Sequence, residues 1–119
     1  MNVLIVDDSK IMRQLLRIAL VKVGYPALNI MDATNGLEAL ELFRQHKFDI
    51  ILSDWNMPEM DGMVLLQSIR EHDKHIPFGF ITAQSTVALK ESAQYYGAHF
   101  LLSKPFTSET LNAAIQSVL

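Results

Sequence analysis

The sequence predicts an α/β protein: five strands, each followed by a helix, wound into a doubly wound sandwich with one parallel sheet. Three observations predict it. Short apolar runs recur at Val3–Val6, Ile50–Leu52, Phe78–Ile81 and Phe100–Leu102, as strands buried on both faces do. Apolar residues at helical spacing fill the stretches between them. Four of the runs also end in polar residues suited to phosphoryl chemistry: Asp7-Asp8, Asp54, Thr82 and Lys104. In an open parallel sheet the carboxyl ends of the strands border the ligand crevice, so these groups should converge there.

Each element has its own signals. After the first strand, Ser9 can cap a helix whose apolar face reads as Ile11, Leu15, Ile18 and Ala19. Gly24 with Pro26 stops it. Ala27 to Met31 reads as the second strand, with Asn29 its weak point. Asn35-Gly36 opens a helix carrying Ala39, Leu40 and Phe43 on one face. The central strand, Ile50 to Ser53, leads through a loop with Pro58 and Asp61-Gly62 to a helix carrying Leu65, Leu66 and Ile69. His72 to His75 is a polar connector, and Pro77 admits the fourth strand. A helix through Leu89 and Ala93 ends at Gly97. Beyond Lys104-Pro105, Thr107 or Ser108 caps a last helix with Leu111, Ala114, Ile115 and Val118.

The chain has 119 residues, half of them hydrophobic, enough for one three-layer domain spanning 1–119. A net charge of −3 argues against a nucleic-acid binder, which would show a basic stripe. There is no cysteine, so disulfides and thiolate metal sites are excluded. No basic n-region with an apolar h-region opens the chain, and no run nears the ~18 apolar residues of a membrane span. A cytoplasmic protein without membrane or direct nucleic-acid partners is the expectation. His46, His72, His75 and His99 are scattered and read as solvated. Trp55 reads as a loop residue near the site.

Suppose Asp7, Asp8 and Asp54 share a cleft. Two like charges ~4 Å apart repel by about 4 kcal/mol at an effective dielectric near 20. The set must raise its own pKa values or recruit a cation. Oxygen-only ligands favour Mg²⁺ or Mn²⁺, and Mg²⁺ bound by one or two carboxylates is commonly completed by phosphate. Lys104 and Thr82 can serve phosphate oxygens. Asp54, alone at the end of the central strand, suits a nucleophile attacking phosphorus.

At these residues the chain resembles the receiver domains of bacterial two-component response regulators, of the CheY-like type. The resemblance rests on Asp7-Asp8-Ser9, Asn35-Gly36 with Glu38-Ala39, Asp54-Trp55-Asn56-Met57-Pro58, Met60-Asp61-Gly62, Thr82-Ala83, Gly97-Ala98 and Lys104-Pro105-Phe106. It implies a flavodoxin-like three-layer (βα)5 fold with strand order 2-1-3-4-5. It implies phosphorylation of Asp54 by a sensor histidine kinase or phosphotransfer protein. Mg²⁺ would be held by Asp8, Asp54 and the main-chain carbonyl of Asn56, with Asp7 acting largely through water. Thr82 and Lys104 would bind phosphoryl oxygens, and the Lys104–Pro105 bond would be cis. Asn56 and Gln84, two residues beyond Asp54 and Thr82, would tune dephosphorylation, with Ala83 between Thr82 and Gln84. An output partner would bind the fourth helix, last strand and last helix.

One departure concerns the switch. The family usually carries an aromatic residue three positions before the lysine, where this chain has Leu101. Tyr96, where the family tends to have a small residue, is expected to take part of that role. Two rival readings stand beside this one: a degenerate receiver that binds partners without phosphorylation, and a phosphatase of the haloacid-dehalogenase-like kind. Against the latter, such enzymes carry a second Asp two residues beyond the nucleophile, whereas Ser9 lies two beyond Asp7 and Lys10 two beyond Asp8.

Overall fold

Five strands and five helices alternate in the computed structural model, which describes all 119 residues. They are β1 (Asn2–Val6), α1 (Lys10–Val23), β2 (Asn29–Ala33), α2 (Gly36–Gln45) and β3 (Ile50–Ser53), then α3 (Gly62–His72), β4 (Phe78–Thr82), α4 (Val87–Tyr95), β5 (Phe100–Ser103) and α5 (Ser108–Gln116). All pairings are parallel, in the order β2-β1-β3-β4-β5. This is the doubly wound α/β sandwich that the alternation predicts.

Strand residues alternate between two cores because successive side chains point to opposite faces. Val3, Ile5, Ile50, Leu52 and Ile81 pack under α1 and α5 against Leu16, Leu20, Leu111 and Ile115. Leu4, Val6, Ile51, Phe78 and Phe80 pack under α2, α3 and α4 against Leu40, Leu65, Leu66 and Ile69. Each fully buried side chain of this size contributes roughly 1.5–3 kcal/mol. In register with Phe100, Gly79 lies beneath that residue's ring, which a Cβ there would overlap.

Every helix starts on a side-chain cap: Ser9, Asn35, Asp61, Thr86 and Thr107 each accept a hydrogen bond from the third amide onward. Each cap is worth about 1 kcal/mol. It also fixes the angle at which the chain leaves a strand, which is where the site lies.

Two expectations are corrected. The second strand runs Asn29–Ala33, two residues later than read. Ala27 has a left-handed backbone (φ 50°), so the chain is still turning there. Pairing begins only where Asn29 meets Asn2. On α1, Ile11, Leu15 and Ile18 face solvent, and only Ala19 of the expected face is buried, with Leu16 and Leu20. The period was right and the phase was not.

Candidate functional site

The strand register assembles the site. Val6 pairs with Ser53, so Asp7 and Asp54 leave neighbouring strands side by side. The Asp54 amide donates to Val6 O at 2.8 Å, and the Lys104 amide to Thr82 O at 2.9 Å. One carboxylate oxygen from each of Asp7, Asp8 and Asp54 lies within 4.8 Å of the others. Asp7 is buried, Asp54 partly buried and Asp8 exposed at the rim.

Lys104 reaches across the end of β4 into this cluster. Its Nζ donates to Asp7 Oδ2 at 2.8 Å and to Asp54 Oδ2 at 3.1 Å. Burial lowers its pKa, but the hydrogen bond to Asp7 and the charges of Asp54 and Asp7 outweigh that, so the net shift is upward. Lys104 stays an ammonium. Three carboxylates then face one cation, and the remaining negative charge is what a divalent ion would neutralise. The oxygen-only donors fit a hard ion such as Mg²⁺.

The second Asp54 oxygen, Oδ1, accepts from the Trp55 amide at 2.7 Å. Trp55 stacks on Phe80 with ring centroids 4.7 Å apart. The loop beyond is tied down twice: the Gly62 amide donates to Trp55 O at 2.8 Å and the Gly36 amide to Met60 O at 3.0 Å. At Gly62 a Cβ would collide with the Asp54 carbonyl, so close approach requires glycine there.

Thr82 ends β4 and is buried; its hydroxyl oxygen accepts from the Gln84 amide at 3.3 Å. Ala83 and Gln84 follow it, both exposed, and Asn56 is exposed two residues past Asp54. The Lys104–Pro105 bond is cis. Leu101 packs toward the α2, α3 and α4 side and Phe100 toward the α1 and α5 side.

Tyr96 is not brought to this site. It caps the C-terminus of α4, its ring against Tyr95 at 5.0 Å. Thr86, four residues after Thr82, caps the other end of that nine-residue helix, which at 1.5 Å per residue puts Tyr96 about 15 Å further along the axis. His99 is exposed, as expected of a solvated histidine, and its Nδ1 also accepts from the Phe78 amide at 3.2 Å.

Two residues at the site escape sequence reading. Arg13 Nη1 donates to the Asp7 carbonyl at 2.7 Å, and its Nε lies 3.4 Å from Asp32 Oδ2. The available signal was an i, i+4 arginine pair, Arg13 and Arg17, beside a carboxylate inside a strand.

The model of the response regulator receiver domain matches residues 3–116. The chain belongs to this family. Among its relatives, this receiver is similar to a probable chemotaxis protein CheY of Rhizobium etli, at 39% identity over 98% of this chain and 91% of that protein. Among solved structures it is similar to the chemotaxis response regulator CheY4 of Vibrio cholerae, with a TM-score of 0.89, 36% identity and coverage of 99% and 98% of the two chains. It is also similar to a chain of the CheX-CheY-BeF3-Mg complex of Borrelia burgdorferi, with a TM-score of 0.92, 33% identity and coverage of 98% and 87%. The receiver is thus a CheY-like module of two-component signalling and not a conventional enzyme. No helix in it is long and apolar enough to cross a membrane.

Proposed function

We propose that Asp54 accepts a phosphoryl group from the phosphohistidine of a sensor histidine kinase or phosphotransfer protein. A carboxylate oxygen of Asp54 attacks phosphorus; the P–O bond forms as the P–N bond breaks, and the electron pair leaves on the imidazole nitrogen. The observation that carries this reading is the convergence of Asp7, Asp8 and Asp54 around one cation-sized space with Lys104 bridging two of them. Mg²⁺ would be held by Asp7, Asp8, Asp54 and the Asn56 carbonyl, and when bound it supplies positive charge to the carboxylates and phosphoryl oxygens. Lys104 and Thr82 hold the transferred oxygens, and Gln84 and Asn56 border the path of hydrolytic water.

The donor must approach over the rim. Beside it, α1 exposes Ile11, Leu15 and Ile18, with Pro105 and Phe106 across a groove of about 240 Å³ that Leu15 and Ile18 help to line. This apolar face is the resting surface for the donor protein. An output partner binds α4, β5 and α5, where Val87 and Tyr95 stand exposed. Phosphorylation adds about −1.5 to −2 charges. Since a full switch needs ~5.5 kcal/mol of differential stabilisation, partner binding completes a partial shift.

Incubation with Mg²⁺ and acetyl phosphate, read by intact mass, tests the reading. One phosphoryl mass on the wild type and none on Asp54→Asn is expected. A wild-type chain that never gains that mass is a phosphorylation-independent binding module instead. Turnover of phosphate esters far beyond one equivalent would mark a phosphatase.

A further inference from the structure

The Asp7 peptide is held on every side. Its amide donates to Ala33 O of β2 at 3.1 Å. Its Oδ1 accepts from the Ser9 amide at 2.9 Å, and its Oδ2 from Lys104 at 2.8 Å. Its carbonyl accepts from Arg13 at 2.7 Å. Strand, cap and pocket account for the first three. The fourth bond comes from a guanidinium that is itself only 14% exposed and lies against Asp32. Asp32 is an unusual residue inside a strand, and it pairs with Arg17 one helical turn further along α1 as well. Arg13, Arg17 and Asp32 thus form a strut from the edge strand to the carbonyl that joins the two acidic residues.

We propose that Arg13, oriented by Asp32, is a positioning residue of the metal site: it fixes the peptide plane between Asp7 and Asp8, and so the direction in which Asp8 enters the pocket. A peptide unit is planar, so holding the Asp7 carbonyl also holds the Asp8 amide and Cα. Asp8, exposed at the rim, depends most on such support. Groups that orient metal ligands from behind typically govern 10–100-fold in affinity. The sign is diagnostic. Simple charge repulsion would have the arginine oppose a divalent ion, so its removal would tighten binding; positioning demands that removal weaken it.

The inference rests on Asp7, Asp8 and Asp54 being the Mg²⁺ ligands, and one experiment separates the two claims. Mg²⁺ is titrated calorimetrically, with Trp55 fluorescence as a second signal, into wild type, Arg13→Gln, Arg13→Lys and Asp32→Asn. The melting temperature of each metal-free protein is recorded. Arg13→Gln should bind Mg²⁺ about tenfold more weakly. Arg13→Lys, which keeps one donor for the carbonyl, should recover part of the loss, and Asp32→Asn should show part of it. At saturating Mg²⁺ the rate of labelling by acetyl phosphate should return close to wild type in all three. Unchanged or tighter Mg²⁺ binding by folded Arg13→Gln overturns the proposal. If that variant does not fold, unchanged affinity in both Arg13→Lys and Asp32→Asn overturns it equally. A wild type that binds no Mg²⁺ sinks the metal-site reading and this one with it, whereas a binding wild type with indifferent variants sinks this one alone.

Discussion

Lys104 is the counter-charge of a site that has too few. Its side chain is 14% exposed and its partner Asp7 only 2%, so water does little to replace it. Removing one partner of such a buried pair typically costs 3–5 kcal/mol. Lys104→Met should therefore lose about 3 kcal/mol of stability in the absence of metal. Added Mg²⁺ should raise its melting temperature more than it raises that of the wild type; equal shifts, read by thermal unfolding, would refute the idea of a charge-starved pocket. At this scale much of the site was legible. Asp7, Asp8, Asp54, Thr82 and Lys104 each follow an apolar run, and the run fixes which end of the sheet they occupy. Arg13 was not legible, because its partner is a backbone carbonyl, which no residue type announces. The position of Tyr96 away from the pocket was not legible, because sequence position says nothing of which end of α4 faces the site until the helix has a length.

At the scale of elements, α1 departs furthest from its expected buried face. It carries two apolar stripes, one of Leu16, Ala19 and Leu20 that meets the sheet and one of Ile11, Leu15 and Ile18 that meets solvent. Periodicity alone cannot rank two stripes of similar strength. In β2 the apolar residues just before Asn29 drew the boundary too early, whereas backbone turning and the pairing with Asn2 decide it. Between β4 and β5, Gly79→Ala should cost about 2 kcal/mol by overpacking against Phe100, measurable as a lower urea midpoint at unchanged slope. The same strand pair carries a pH dependence. His99 Nδ1 accepts the Phe78 amide, and burial first, then the Arg70 charge, holds its pKa below the ordinary value of 6.5. The unfolded chain thus takes up a proton there before the folded one does. Stability is intact above that value and declines as pH falls through it. Urea midpoints at pH 7.5 and 5 should differ less for His99→Asn than for wild type; an identical difference would exclude His99 as a source.

For the molecule as a whole, the proposed chemistry and the proposed docking face occupy different parts of the surface. The acidic cluster lies at the carboxyl end of the sheet, while the apolar row of α1 flanks it without contributing a ligand. Ile18 is 64% exposed, so Ile18→Lys should change stability by no more than about 0.5 kcal/mol. It should nevertheless slow phosphotransfer from a cognate kinase by about tenfold, the loss expected when a contact worth roughly 1.4 kcal/mol is removed. Labelling by acetyl phosphate, which needs no docking, should be untouched, and parallel losses in both assays would contradict this division. The bridging ammonium has one more consequence. β5 is an outer strand with a single neighbour, and outer strands fray first. Its last residue is moored, through the lysine that follows, to carboxylates on two strands further inward. Neutralising Asp54 slackens that mooring line. Amide hydrogen exchange at Leu102 and Ser103 should then quicken in Asp54→Asn while β1 stays protected, so the border of the sheet would register the charge state of its centre.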